Sequence, residues 1–93
     1  MLNEAQDLIR EALREVIVEN ELVDTGTLLN SIEVTISDNG GISIEGEDYF
    51  QYLEEEYNLL QQLEDKPKYI TAVDLIIEHL IKEQLNLFED GIN

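Results

Sequence analysis

Residues 2–22 repeat apolar side chains every three or four positions, and this repeat constrains the fold more than any other feature of the chain. The repeat consists of Leu2, Ala5, Leu8, Ile9, Ala12, Leu13, Val16 and Ile17. This spacing places the apolar side chains on one face of an α-helix. Since such a face needs a cover to be stable in water, the sequence predicts a long N-terminal helix packed against other elements.

Two short segments alternate apolar and polar residues, as half-buried β-strands do. They span residues 32–37 and 42–45 and flank the run Asp38-Asn39-Gly40-Gly41. An Asn-Gly pair between alternating segments is typical of a β-hairpin turn. The sequence therefore predicts an antiparallel hairpin whose isoleucine face packs on the helices and whose Ser, Thr and Glu face meets water.

The second half of the chain favours helices. A short helix is predicted from Asp48 through the aromatic and acidic segment that follows, and residues 58–66 are predicted to be a loop or a fraying turn. Pro67 suits the first turn of a last helix, where its missing N–H is harmless. One face of that helix is predicted from Ile70, Val73, Ile77, Leu80, Ile81, Gln84 and Phe88. A helix that is apolar on further sides contacts a partner as well, so the interface residues are expected off this face, at Leu75, Ile76 and Leu87.

These elements predict the α+β class: a long N-terminal helix, a short helix, a hairpin, a short helix and a C-terminal helix. Ninety-three residues are expected to form a single domain, 1–93, of marginal stability. The chain has no cysteine, which excludes disulfides and thiolate metal sites. We find no signal peptide and no apolar run of membrane-spanning length, so a cytoplasmic origin is expected.

The charge of the chain is strongly acidic. Twenty-two Asp and Glu oppose five Lys and Arg, which gives a net charge of −17. No basic residue lies between Arg14 and Lys66, an interval that holds fourteen acidic ones. Such a surface repels both nucleic acid and anionic membrane. It serves either as a solubilising coat or as a face past which DNA slides, or it meets a basic partner.

Catalytic and metal-binding patterns in the chain are weak. Asp24-Thr25-Gly26 matches the triplet of aspartic proteases, but those enzymes need an almost all-β dimer, and helix capping explains the triplet here. The single histidine, His79, has acidic neighbours but lacks a helical metal-ligand spacing. The segment 38–47 does not place acidic ligands at the positions of a calcium loop. We therefore expect no enzyme, no cofactor and no metal.

The segment Asp24-Thr25-Gly26-Thr27-Leu28-Leu29-Asn30-Ser31-Ile32 resembles the D-T-G-x-L-x-x-S-I segment of the neck and tail-completion proteins of tailed bacteriophages. That family also carries a tyrosine-rich stretch ending in an acidic residue and glycine, which Tyr49, Tyr52, Leu53 and Glu54 resemble without the glycine. Its arginine-proline-aromatic step into the last helix is resembled by Lys66-Pro67-Lys68-Tyr69 with Ala72, where lysine replaces arginine. Order and spacing agree over roughly residues 5–85. In this motif Asp24 or Thr25 would cap a short helix, from Thr27 to about Ser31. Gly26 would permit a tight turn, and Leu28, Ser31 and Ile32 would anchor and end the helix.

The resemblance implies a structural virion protein, assembled in the host cytoplasm, that forms a ring of six or twelve copies around the DNA channel. Its partners would be further copies and other virion proteins, such as the portal or connector and the tail tube. DNA would pass without binding, and no membrane would be involved. The expected interface residues on the aromatic segment are Tyr49, Phe50 and Tyr52. The expected channel-facing acids are Glu45, Glu47, Glu54, Glu55 and Glu56.

A second hypothesis comes from the charge alone. An acidic regulatory binder would mimic DNA or occupy the basic groove of a host protein. The acidic composition supports this function, but it leaves the order of the motifs unexplained.

Overall fold

The computed structural model describes the backbone of residues 2–22 and 25–92 and the side chains of residues 2–22 and 26–84. The elements follow in the order α1 (Asn3–Glu19), α2 (Thr25–Ser31), β1 (Glu33–Ile36), β2 (Ile42–Glu45), α3 (Asp48–Tyr57), α4 (Leu59–Glu64) and α5 (Pro67–Ile92). This order confirms the predicted α+β class. Within the described residues, no helix is long and apolar enough to cross a membrane.

Helix α1 lies at the centre of the core and contacts α2, β1, α4 and α5. Its buried residues are Ala5, Ile9, Ala12, Leu13, Val16 and Ile17. Leu2 and Leu8 pack against the same core and are partly buried. The predicted apolar face is therefore confirmed, and the chain itself covers it.

Helix α1 ends earlier than the sequence indicated. Its last residue is Glu19, and Glu21 adopts a left-handed conformation with φ of 56°. The amide of Leu22 donates to the carbonyl of Ile17 at 3.3 Å, and the amide of Glu21 donates to that of Val18 at 3.0 Å. This pair of bonds is a Schellman motif, which normally uses glycine at the left-handed position. The Asp-Thr-Gly segment follows this stop and does not cause it.

Helix α2 begins at Thr25, so Gly26 lies inside its first turn. Gly26 has no positive φ, and a Cβ added to it would meet no atom within 4 Å. The predicted role of Gly26 in a tight turn is therefore wrong. The capping roles of Asp24 and of the Thr25 side chain lie outside the described residues. Ser31 ends the helix, and its hydroxyl donates to the carbonyl of Leu28 at 2.7 Å.

Arg10 of α1 holds the end of α2 and the start of β1 in place. Its guanidinium donates to the carbonyl oxygens of Ile32 at 2.9 Å and Leu29 at 3.2 Å. The helix end thus gains a positive charge beside its free carbonyls, which favours it electrostatically. Leu28 and Ile32 are buried at 4% and 2% exposure and anchor this corner in the core.

Strands β1 and β2 pair antiparallel, as the sequence predicted, and their register is Val34↔Ile44 and Ile36↔Ile42. The amide of Ser37 donates to the carbonyl of Gly41 at 2.8 Å across the turn, and Gly40 takes a left-handed φ of 86°. A Cβ at Gly40 would lie 2.7 Å from a Cδ of Leu80. Glycine is therefore required at position 40 for two reasons: the left-handed backbone angle and the close approach to α5.

Residues 59–64 form helix α4, so the loop predicted for this segment is wrong. Asn58, with φ of 54°, separates α3 from α4. Leu59 and Leu63 are one helical turn apart and are completely buried, at 0% and 1% exposure. A carboxylate oxygen of Glu54 accepts from the amide of Leu60 at 2.9 Å. This negative charge at the start of α4 stabilises a helix too short to form alone.

Helix α5 begins at Pro67, as predicted, and runs beside α1. Two lysines of its first turn region attach it to α1. Lys66 pairs with Glu19 (2.6 Å to one carboxylate oxygen), and Lys68 lies 3.1 Å from a carboxylate oxygen of Glu15. The hydrogen bond that Lys68 donates to Glu15, together with the negative charge of that carboxylate, raises the pKa of Lys68 above its usual value.

Candidate assembly surfaces

Three isoleucines of α5 lie exposed on one face of the helix. Ile70, Ile77 and Ile81 are 51%, 48% and 53% exposed. Their spacing of seven and four residues places them within a narrow stripe along the helix. We call these three residues the isoleucine stripe. A row of large apolar side chains in water is a feature of protein–protein contact sites.

The buried face of α5 differs from the predicted one. Ala72 and Ile76 are buried at 0% and 4% exposure, and Tyr69, Leu75 and Leu80 pack against the core. Ile76 is therefore a core residue, and its predicted interface role is wrong. Leu75 is only partly buried, so its contact with a partner stays a prediction. The side chain of Leu87 lies outside the described residues.

The packing geometry around α5 explains this correction. Ala72 presents only a methyl group to α1, and Gly40 presents no side chain to Ile76 and Leu80. Small residues let backbones approach closely, so they mark the buried side of a helix. The sequence contained this signal in Ala72, but the isoleucines at 70, 77 and 81 dominated the apolar pattern.

Helix α3 presents tyrosines to solvent. Tyr49 and Tyr52 are 54% and 60% exposed and Tyr57 is 39% exposed, while Phe50 is buried at 4%. Phe50 packs in the core with Leu53, so its predicted interface role is wrong. Tyr49 and Tyr52 remain available to a partner, and their contact with one stays a prediction.

The predicted channel-facing acids differ in their surroundings. Glu45, Glu47, Glu55 and Glu56 are exposed. Glu54 is partly buried and is engaged with the amide of Leu60. Glu54 therefore has a structural role at the start of α4, while the orientation of the other four toward a channel stays a prediction.

Most of the basic residues are already engaged within the protein. Lys66 and Lys68 pair with acids of α1, Lys82 lies 3.1 Å from Glu78, and Arg10 binds backbone carbonyls. Arg14 is exposed and makes no ion pair within the described residues. The engaged cations leave the excess of acid uncompensated on the surface, which produces a strongly negative field around the protein.

His79 lies beside a small polar cleft between the start of α1 and the middle of α5. The cleft has a volume of about 190 Å³ and is lined by Leu2, Glu4, Ala5, Leu75, Glu78, His79 and Lys82. The Nε2 atom of His79 is 3.3 Å from a carboxylate oxygen of Glu83. Among the described residues, no group of three or more potential ligands is arranged to hold a metal ion.

Tyr69 is the described tyrosine whose hydroxyl is most affected by its surroundings. Burial raises the pKa of Tyr69 above its usual value, and the nearby charge of Glu64 adds to this effect. The half-buried ring packs against the core, which agrees with its place on the buried side of α5. Tyr69 therefore has a packing role.

No protein-family model, no curated protein and no solved structure matches this chain.

Proposed function

We propose that this protein is a non-enzymatic structural subunit of a tailed-phage particle, which forms a ring with further copies in the neck or upper tail. The observation that carries the proposal is the isoleucine stripe on α5. Contact of three large, half-exposed apolar side chains with water is unfavourable in a monomer. A neighbouring subunit would cover these side chains. The order of the sequence motifs supports the phage assignment.

The size of the stripe sets the strength of such an association. Complete burial of an isoleucine contributes about 1.5–3 kcal/mol, so covering the exposed half of three contributes roughly 2–5 kcal/mol. Loss of translational and rotational freedom opposes association by about 4–15 kcal/mol. A single contact between two copies is therefore weak. A closed ring, in which every subunit has two neighbours, would be favoured over a dimer.

The charge of the protein adds a salt dependence to this assembly. Copies with a net charge of −17 repel one another, and salt weakens that repulsion. The same charge would let DNA pass through the ring without binding, because few unpaired Lys or Arg side chains are available to bind its phosphates. Assembly is thus expected to strengthen as ionic strength rises from about 0.05 to 0.5 M.

The alternative function, an acidic regulator of a basic host protein, is favoured by the uncompensated carboxylates. Exposed acids such as Glu45, Glu47, Glu55 and Glu56 would contact the basic groove of such a target. This function leaves the isoleucine stripe without a role, so we rank it second.

Electron cryo-microscopy of purified virions, with mass spectrometry to identify the chain, tests the proposal directly. A ring of this protein between portal and tail would support it, whereas absence from intact particles would favour the acidic regulator.

A variant pair tests the role of the stripe in vitro. Ile77→Asp should abolish self-association measured by sedimentation at high salt. Val18→Asp is the matched control, since Val18 is a similarly exposed (55%) apolar residue on a different helix and the charge change is identical. Equal loss of association in both variants would show that charge, and not the stripe, controls assembly.

A further inference from the structure

The two edges of the hairpin differ in what covers them. The Ser37–Gly41 bond sets the alternation of the ladder, so Thr35 and Ser43 exchange hydrogen bonds between the strands. The N–H and C=O groups of Ile42 and Ile44 therefore point away from β1. These four backbone groups form the outer edge of β2.

The outer edge of β1 is occupied by helix α1. The side-chain amide of Gln6 donates to the carbonyl of Val34, and Arg10 donates to that of Ile32. On the other side, no described residue donates to or accepts from the outward backbone groups of Ile42 and Ile44. Proteins commonly protect such an edge with lysine, proline or a bulge, and β2 (Ile42–Glu45) contains no lysine or proline.

A groove lies beside this open edge, between β2 and the helices α3 and α4. Its volume is about 480 Å³. Its lining combines apolar side chains (Ile44, Phe50 and Leu60) with Gln51 and the acids Glu45, Glu54 and Glu55. A strand added to β2 would project alternate side chains on the same face as Ile44, toward this groove.

We propose that β2 is a docking edge for an extended segment of a basic partner protein. The segment adds as a third strand, exchanges backbone hydrogen bonds with Ile42 and Ile44, and places apolar side chains in the groove. Its lysines or arginines lie beside Glu45 and Glu55. The proposal is separate from the ring assembly above, because it uses β2 and not α5.

Charge favours a basic partner over a second copy of this chain. Antiparallel pairing of β2 with β2 of a second copy would bring together two acidic surfaces, each of which carries Glu45 and Glu55 beside the groove. Like charges brought close together repel each other and oppose such pairing. The interval from residue 15 to residue 65, which includes the hairpin and the groove, contains no lysine or arginine to relieve the repulsion.

The test uses a fluorescent synthetic peptide that alternates lysine and valine, with two matched control peptides. One control replaces lysine by glutamate, and the other carries N-methyl groups on the amides of one edge. We expect the lysine peptide to bind at least about tenfold more tightly than either control, since N-methylation removes hydrogen bonds and glutamate reverses the charge.

Amide exchange measured by NMR should slow at Ile42 and Ile44 when the peptide binds. Exchange at Ser43, which already faces β1, should not change.

Two variants of one residue separate the backbone from the side chain. Ile44→Pro removes the outward N–H and should weaken peptide binding about tenfold, whereas Ile44→Val keeps it and should change binding less than threefold. If the proline variant does not fold, as judged by circular dichroism, the N-methylated peptide makes the same test on the native protein.

Three results would overturn the proposal. The first is equal binding of the lysine and N-methylated peptides, which would indicate attraction by charge alone. The second is equal binding of the lysine and glutamate peptides. The third is protection of Ile42 and Ile44 without peptide that grows with protein concentration, which would identify a second copy as the occupant of the edge.

Discussion

Replacing Ile76 and Ile77 by alanine, one at a time, should have opposite effects although the two residues are neighbours. Ile76 is 4% exposed and faces the core, whereas Ile77 is 48% exposed and belongs to the isoleucine stripe. Ile76→Ala should lower the stability of the monomer and leave self-association intact. Ile77→Ala should change the stability little and weaken self-association.

The expected magnitudes follow from burial. Truncation of a buried isoleucine to alanine costs about 2–5 kcal/mol, because it removes apolar contacts and leaves a cavity. A domain of this length has a total stability of roughly 5–14 kcal/mol, so the Ile76→Ala loss is a large fraction of it. For Ile77, half of the side chain is already in water and no closed cavity forms. Its loss of about 1 kcal/mol is partly offset by the higher helix propensity of alanine.

Urea unfolding followed by circular dichroism measures the free energy of unfolding, at a low micromolar concentration chosen so that sedimentation shows a single monomeric species. With a slope of about 1.5 kcal/mol per M, Ile76→Ala should lower the midpoint by about 1–3 M, and Ile77→Ala by less than about 0.7 M. Sedimentation at high salt measures association, which Ile77→Ala should weaken and Ile76→Ala should not. A larger loss of stability for Ile77→Ala would mean that the stripe is core and that the helix is rotated from the orientation described.

Three further predictions concern stability in the same urea assay. Leu63→Ala should cost about 2–5 kcal/mol because it opens a cavity under α4, and a cost below about 1 kcal/mol would indicate a frayed loop there. Arg10→Met should cost about 1.5–3 kcal/mol by removing two bonds to carbonyls, while Arg14→Met, the control with the same charge change, should cost less than about 0.5 kcal/mol. Gly40→Ala should cost about 1–3 kcal/mol, since the new methyl group would lie 2.7 Å from a side chain of α5 in a strained backbone. Gly26→Ala, inside a helix with free space around it, should be neutral or stabilising. Equal costs for the two glycines would contradict the turn geometry.

The elements that the sequence predicted correctly are those with strong local patterns. Helix α1 repeats apolar residues over four turns, and the hairpin combines strict alternation with an Asn-Gly turn that fixes its register. The end of α1 was missed because Glu21 takes the position where glycine usually marks a helix stop. A left-handed glutamate gives no signal in the sequence, because residues other than glycine rarely adopt that conformation.

Helix α4 was missed because its stability is not local. It has six residues, which is too short for a helix in isolation. Two contacts distant in sequence support it: the burial of Leu59 and Leu63, and the bond at 2.8 Å from the side-chain amide of Asn20 to that of Gln62. Only the spacing of Leu59 and Leu63, one turn apart, indicated the helix in advance.

The orientation of α5 could not be determined from periodicity, since both of its faces are apolar. The choice depends on where α1 and the hairpin turn lie, and close approach at Ala72 and Gly40 selects the face that includes Ile76. The same ambiguity affected the candidate site. Ile76, which was predicted to meet a partner, belongs to the core, whereas the isoleucine stripe is exposed.

The charge and the isoleucine stripe together constrain any partner of this protein more than either feature does alone. Four of the five basic residues already bind acids or carbonyls within the protein, so the surface carries few free positive charges. An acidic partner can therefore associate only if salt screens the repulsion or apolar contacts outweigh it. A pure DNA mimic requires only the acid and would be expected to keep its helices polar on the outer side. The three isoleucines of the stripe are each about half exposed, and the exposed acids Asp74 and Glu78 lie next to them in the sequence of α5. This arrangement favours a partner that covers the apolar row and leaves the acids in solvent. Identical subunits in the proposed ring would satisfy both conditions, because each would bury the stripe at its contact and would leave its acidic faces in solvent.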